Sequence, residues 1–289
     1  DGARRLLEDA CKSQARFNQP ILSGHHPVGV GDLLIYRGAW GLHAFNLRTG
    51  ALAWEHPLQA SLAAMTSAAP AAGLDMQRTP VDASSVLFEN SMIGVLSSDR
   101  QFVYAIEDLA VPEMPVTRMS GPRGAADRQG KWAFHNELVA YDLKEGLPAW
   151  VIGTYEPDQP FSDCFFLGAP LPLGDKLYVL VEIAGEIRLM CLENRRIWDA
   201  AANRHRSAAE VIWSQALCQV NRRLPDDPGR RLHAALLSYG DGTLICPTNA
   251  GVVLGVDLLT CSLLWAHAYQ VQDEAPREPG MGMPAGVPI

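Results

Sequence analysis

The chain has 289 residues, of which 48% are hydrophobic and 19% charged, with 25 glycines and 20 prolines. That is enough apolar material for one domain with a substantial core, and the low charge with frequent Gly and Pro fits many short strands and turns. The net charge of −8 argues against nucleic acid as the main ligand, and no apolar run reaches the 18 residues of a membrane span.

The first residues, 1–24, form a polar lead-in, with Leu6, Leu7, Ala10 and Cys11 at helical spacing, which predicts a short helix. The chain begins with Asp1 and shows no signal peptide, so a processed or excised piece of a longer product is expected. The first repeating unit follows at about 28–56. Gly31-Asp32 makes a turn, Leu33-Leu34-Ile35-Tyr36 and Leu42-His43-Ala44-Phe45 are short apolar strands, Arg48-Thr49-Gly50 is a tight turn, and Leu52-Ala53-Trp54 opens another strand. Residues 57–90 contain alanine-rich runs that read as a short helix plus loop.

The second unit, at about 92–152, repeats the pattern with Phe102-Val103-Tyr104-Ala105-Ile106 and Leu138-Val139-Ala140-Tyr141, interrupted by a basic insertion at 109–135. The third, at about 165–220, has Lys176-Leu177-Tyr178-Val179-Leu180-Val181 and Ile187-Arg188-Leu189-Met190. Within it, the segment Asn194 to Glu210, with Ala200-Ala201-Ala202, reads as a short inserted helix carrying Arg195, Arg196, Arg204 and Arg206. The two insertions are placed between strands one and two, and between strands two and three, of their meanders, so they should leave opposite faces. Both read as solvated loops. A charged loop at 221–231 leads to the fourth unit, at about 232–270, with Thr243-Leu244-Ile245-Cys246 and Val252-Val253-Leu254-Gly255-Val256. Residues 271–289 are a Pro/Gly-rich tail.

One sentence recurs through these units. Asn46 precedes Trp54 by 8 positions with Gly50 between them, Asp142 precedes Trp150 by 8 with Gly146 between them, and Asp257 precedes Trp265 by 8 with Cys261 in the glycine position. A fourth copy runs from Glu193 through the insertion to Trp213. A meander this small cannot bury both its faces alone. Stacking against its neighbours does so, and the radial solution is a β-propeller of four-stranded blades. The tryptophan is expected to fill the gap between adjacent blades. The acidic or amide residue of each copy is expected to accept backbone N–H groups in its turn. The fold expected is therefore all-β, with about four blades in a partial ring spanning 25–270 and end faces that something must cover.

The pattern Asp-Leu-x-x-Gly-x-x-x-Trp between short apolar strands resembles the repeat of the quinoprotein-type (PQQ-like) β-propellers, and the resemblance covers most of residues 28–270. That superfamily includes quinoprotein alcohol dehydrogenases and the non-catalytic lipoprotein of the bacterial outer-membrane β-barrel assembly machinery. Phe165-Phe166-Leu167-Gly168-Ala169-Pro170 and the run from Cys246 to Gly251 also resemble large PQQ-like repeat proteins of planctomycete-type bacteria. The resemblance implies a protein-interaction or assembly scaffold in a bacterial periplasm or cell envelope. The partner expected is another protein, or the rest of the same precursor, covering the end blades.

The resemblance also raises PQQ held over calcium, as an alternative in which this is an oxidoreductase or its relic with the cofactor site elsewhere. A third alternative is a propeller binding carbohydrate or another small ligand. The dehydrogenases' adjacent cysteine pair is missing, because Cys11, Cys164, Cys191, Cys218, Cys246 and Cys261 are all separated. No Cys-x-x-Cys-His, P-loop, His-Glu-x-x-His or Gly-x-Ser-x-Gly occurs, His25-His26 reads as a surface pair, and Gly240-Asp241-Gly242 reads as a turn. The reading is thus a module without catalytic, metal-binding or cofactor-binding residues of its own.

Overall fold

The computed structural model describes residues 2–16, 25–38, 40–57, 88, 90–108, 135–153, 161, 164–200 and 203–269. The alanine-rich stretch after the first unit, the insertion at 109–134 and the tail after Tyr269 lie outside the described residues. A helix α1 (Gly2–Arg16) opens the chain, with Ala10 and Gln14 buried.

Four antiparallel sheets follow in sequence order. The first is β1 (Val28–Val30), β2 (Leu33–Arg37), β3 (Gly41–Asn46) and β4 (Leu52–Pro57). After the short helix α2 (Ser91–Gly94), the second is β5 (Ser97–Ser98), β6 (Phe102–Glu107), β7 (Glu137–Asp142) and β8 (Pro148–Ile152). The third is β10 (Leu171–Leu173), β11 (Lys176–Ile183), β12 (Glu186–Asp199) and β13 (Arg204–Gln219), with β9 (Cys164–Phe166) pairing on the free part of β11. A helix α3 (Pro228–Leu232) leads into β14 (Ser238–Gly240), β15 (Thr243–Pro247), β16 (Val252–Asp257) and β17 (Leu263–Ala268).

The fold is a partial β-propeller of four blades. Each sheet is a meander in which neighbours in sequence are neighbours in space. Three cores sit between consecutive blades. Ile35, Leu42, Ala44 and Trp54 of blade one meet Val103, Ala105, Val139 and Tyr141 of blade two. Phe102, Tyr104, Leu138 and Trp150 meet Leu177, Val179, Val181 and Met190 of blade three. Tyr178, Leu180, Leu189 and Cys191 meet Leu244, Cys246, Leu254 and Val256 of blade four. Alternate residues of each strand serve opposite junctions, as the period of two requires. Among the described residues no such core joins blade four back to blade one.

The same irregularity marks every blade. Ala44 faces Trp54 but Phe45 faces Leu52; Ala140 faces Trp150 but Tyr141 faces Pro148. Gly255 faces Trp265 but Val256 faces Leu263; Cys191 faces Trp213 but Leu192 faces Val211. One extra residue therefore bulges just before each tryptophan and re-aims its indole, and the residue opposite is small. Cys191, opposite Trp213, lies two residues before Glu193 as Ala44, opposite Trp54, lies two before Asn46.

Three expectations are corrected. The segment 194–210 is no helix but the tip of a hairpin, with β12 and β13 paired from Glu186↔Gln219 out to Asp199↔Arg204. Ile197, Trp198, Val211 and Ile212 favour the pleated surface, and the cross-strand pair Arg195–Glu210, at 2.8 Å, supports it beyond what a three-alanine run offers a helix. The charged loop at 221–231 is partly helical: Asp227 caps α3 by accepting from the Arg230 N–H, and Pro228 sits where its missing N–H is harmless. The innermost strands were overlooked, so the insertion at 109–134 joins the second and third strands of its blade and the hairpin joins the third and fourth. The two still emerge at opposite ends.

Trp54 and Trp150 are 8% and 5% exposed, whereas Trp265 is 42% exposed. Trp54→Ala and Trp150→Ala should each cost about 3–5 kcal/mol of stability in chemical denaturation. Trp265→Ala should cost less than about 1 kcal/mol in the monomer, as for other exposed sites. Equal losses at all three would contradict the packing described.

Candidate functional site: the blade junctions and the uncovered blade

The first junction is a socket and a plug, and the others share parts of that arrangement. The socket is the turn between the third and fourth strands. Asn46 Oδ1 accepts from the N–H groups of Arg48 and Thr49 at 2.9 and 3.0 Å, and Asp142 Oδ1 from those of Lys144 and Glu145 at 2.8 and 3.0 Å. Asp257 Oδ1 accepts from the Thr260 N–H and hydroxyl at 2.7 and 2.8 Å. These bonds hold the turn open enough for the next residue to fold back: the N–H groups of Leu47, Leu143 and Leu258 donate to Asp32, Gln101 and Gly242 in the adjoining turn. Glu193 differs. It lies inside the long hairpin and pairs with Lys176 at 2.5 Å and Arg195 at 3.3 Å instead of capping a turn.

The plug is the preceding blade's indole. Trp54 Nε1 donates to the Leu143 carbonyl at 2.9 Å, and a Cβ on Gly146 would strike the Trp54 ring. Trp150 Nε1 donates at 2.9 Å to Asn194 Oδ1, which occupies the position of Leu143 in blade three. Asn194 Nδ2 in turn donates to the Tyr104 hydroxyl at 2.6 Å and to Asp99 at 3.0 Å. At the third junction Trp213 is only partly buried, its ring tilted against Tyr178 with centroids 6.0 Å apart, with Leu258 packed in the same core. There Cys261 adopts φ 55° where Gly50 and Gly146 adopt 68° and 70°.

Among the described residues, the two ends of the series are unfilled. On blade four the whole of β17 is exposed, and Trp265 lies over Gly255 of its own sheet with Leu263 and Leu264 about half exposed beside it. On blade one the socket is empty: Leu47 is 52% exposed, and a Cβ on Gly50 would meet nothing within 4 Å. Leu34, Tyr36 and Phe45 face the same way, half-buried, with the Tyr36 and Phe45 rings stacked at 6.0 Å.

At the opposite end of the blades, the second strands finish in a belt of buried ion pairs. Arg37 donates to both Glu107 oxygens at 3.1 and 2.7 Å and to the Ile106 carbonyl at 3.1 Å. Arg231 makes a two-pronged pair with Asp108 at 2.9 and 2.6 Å. Arg230 pairs with Glu182 at 2.6 Å, and the other Glu182 oxygen accepts from the Leu224 N–H at 2.7 Å. Asn136 adds a clamp between blades two and three, donating to the Phe166 carbonyl at 2.9 Å and accepting from its N–H at 2.7 Å. Each pair crosses from one blade to another, or to α3. This belt was invisible in the sequence, where the partners lie up to 123 residues apart. The signal that pointed to it is a charged residue closing an apolar strand, as in Tyr36-Arg37, Ile106-Glu107 and Val181-Glu182.

Beside the belt, the Tyr141 hydroxyl donates to Glu107 at 3.1 Å and its ring lies 5.3 Å from His56. Burial, with the Glu107 charge adding to it, pushes Glu137 up to about 7. Burial holds His56 below its ordinary value, against an opposing pull from Glu107.

The charges of the belt are engaged with one another. A cofactor bearing several carboxylates needs free cations, and Arg37, Arg230 and Arg231 each already face a carboxylate. A hard cation needs converging oxygen ligands, and among the described residues no three His, Cys, Asp or Glu side chains gather for one. His25 approaches the Arg37 carbonyl at 3.1 Å, and Asp241 and Gly242 form the turn between β14 and β15. No disulfide joins the six cysteines; Cys164, Cys191 and Cys246 are buried, and burial pushes the Cys246 thiol up to about 12. No helix among the described residues is long and apolar enough to cross a membrane.

Three substitutions separate the socket's two requirements. Gly50→Ala should cost about 1 kcal/mol, for the left-handed backbone alone. Gly146→Ala should cost roughly 3 kcal/mol, because displacement of the Trp54 ring is added. Cys261→Gly should stabilise by about 1 kcal/mol. Equal effects at Gly50 and Gly146 would contradict the plug. Separately, Glu137 holds its proton more tightly folded than unfolded, so its contribution is full below the ordinary glutamate range and is lost as pH rises through about 7. Relative to Glu137→Gln, the melting temperature of the parent chain should therefore fall between about pH 5 and pH 8; a constant difference would contradict this.

No protein-family model and no curated protein sequence matches the chain. Among solved structures it is similar to BamB from Moraxella catarrhalis, at 13% identity and a TM-score of 0.37, over 83% of this chain and 50% of that one. It is also similar to the quinohemoprotein alcohol dehydrogenase ADHIIG from Pseudomonas putida HK5, at 11% identity and a TM-score of 0.41, over 84% and 33%. A third similar structure is the quinohemoprotein alcohol dehydrogenase from Comamonas testosteroni, at 13% identity and a TM-score of 0.42, over 86% and 35%. The chain thus spans half or less of the length of these structures.

Proposed function

We propose that this chain is a non-catalytic propeller module whose work is protein interaction and assembly, in a bacterial cell envelope. The observation that carries the reading is the exit face of blade four, where Trp265 is 42% exposed and Ile245 and Val253 are half-buried, while their counterparts Trp54, Ile35 and Leu42 on blade one are buried. A contiguous apolar sheet face with an unfilled indole plug marks an association surface. Envelope placement rests on the resemblance of the repeat to PQQ-like propellers, several of which work there. Arg37, Arg230 and Arg231 are committed to ion pairs between blades, which gives the belt a structural part in the reading.

The test is a photo-crosslinking residue at position 264, compared with one at the exposed Lys144 turn of blade two, irradiated in cells. A protein adduct at 264 and none at 144 is the expected result. Equal labelling at both positions, or dye-linked substrate oxidation by the PQQ- and calcium-loaded chain, would contradict it.

A further inference from the structure

We infer that the bare face of blade four is closed by blade one of a second copy of this chain, so that two copies build one eight-bladed ring. The inference rests on the interaction reading above and names its partner. The first internal junction shows in full what a blade's exit face receives: the next blade's alternating apolar face, the backbone of the residue after its Asp, and a left-handed glycine that leaves room for the indole; the second keeps the apolar face and an indole hydrogen bond, and the third the apolar face. Among the described residues there is one surplus plug, Trp265, and one surplus socket, the turn Asn46-Leu47-Arg48-Thr49-Gly50.

The match extends beyond the indole. Leu143 and Leu258 are packed at their junctions, whereas Leu47, in the same position, is 52% exposed. Gly146 touches the incoming ring, whereas Gly50, with the same backbone sense, faces open space. The positions that fill the entry face of blade two, Val103, Ala105, Val139 and Tyr141, correspond on blade one to Leu34, Tyr36, His43 and Phe45, three of which are apolar or aromatic. Blade four offers Ile245, Val253 and Trp265 in return.

Plug and socket lie on different blades, so the contact is head-to-tail. Such contacts close when the rotation permits, and four blades from each of two copies make eight, within the range of closed propellers. A two-fold rotation about the channel then makes both junctions identical and leaves no bare face.

The test is the solution mass of the 289-residue chain by light scattering, at about 20 μM, a concentration where a two-junction ring with micromolar or tighter affinity is populated. The expected mass is twice 31.4 kDa. Leu47→Glu and Trp265→Ala, both at exposed positions, should each yield folded monomers with unchanged circular dichroism, although they lie on opposite ends of the chain. Mixing the two variants should restore a dimer through the one junction left intact. A dimer that survives Leu47→Glu overturns the inference, because the blade-four faces would then be pairing with each other. A monomeric parent chain also overturns it, whether the face is covered by another polypeptide or by further blades of its own. In that case an adduct at position 264 to a different protein would leave the interaction reading standing.

Discussion

The contact on which the structure depends is an indole lying in the mouth of the next blade's turn. It asks for four things at once: a bulge before the tryptophan, a small residue opposite it, an Asn or Asp to brace the receiving turn, and a left-handed residue with no Cβ in the way. Blades one and two meet all four, with Ala44 and Gly146 on either side of Trp54. The demand is directional. Every blade is a plug on one side and a socket on the other, so a row of blades always ends with one of each. The exposed Trp265 and the empty turn at Gly50 follow from the construction of the unit itself.

The ion-pair belt plays a different part. Buried pairs bring little net stability, because desolvation offsets their attraction, but a misplaced blade would leave a charge uncompensated. Arg37 with Glu107, Asp108 with Arg231 and Glu182 with Arg230 thus fix which blade stands beside which, while the indoles and aliphatic faces supply the cohesion. At the first junction burial raises Glu137 and lowers His56, beside Glu107 and Tyr141.

The sequence disclosed what is periodic and hid what is not. The spacing from Asn46 to Trp54 and from Asp142 to Trp150 was legible because the socket and bulge constrain every intervening residue. It remained legible through the Cys261 substitution, since a cysteine tolerates φ 55° at a modest cost. The innermost strands escaped notice because two or three residues such as Ser97–Ser98 carry no alternation. The hairpin of β12 and β13 was read as a helix because its alanines outweighed Ile197, Trp198, Val211 and Ile212, whose preference is expressed only once the strands pair. The belt was hidden by distance along the chain. The bare end was foreseeable in kind, from the count of units, but which face would be bare depends on the handedness of plug and socket, which only the packing reveals.

The most direct measurement of this account is hydrogen exchange at the indole nitrogens, read by NMR on nitrogen-labelled chain held monomeric by Leu47→Glu. The Trp54 and Trp150 indole N–H groups, each bonded across a junction at 2.9 Å, should be protected to the level of the cores they close, while Trp265 should exchange at once. Prompt exchange at Trp54 and Trp150, or protection at Trp265 equal to theirs, would contradict the claim that these blades are joined by indoles hydrogen-bonded to the next blade.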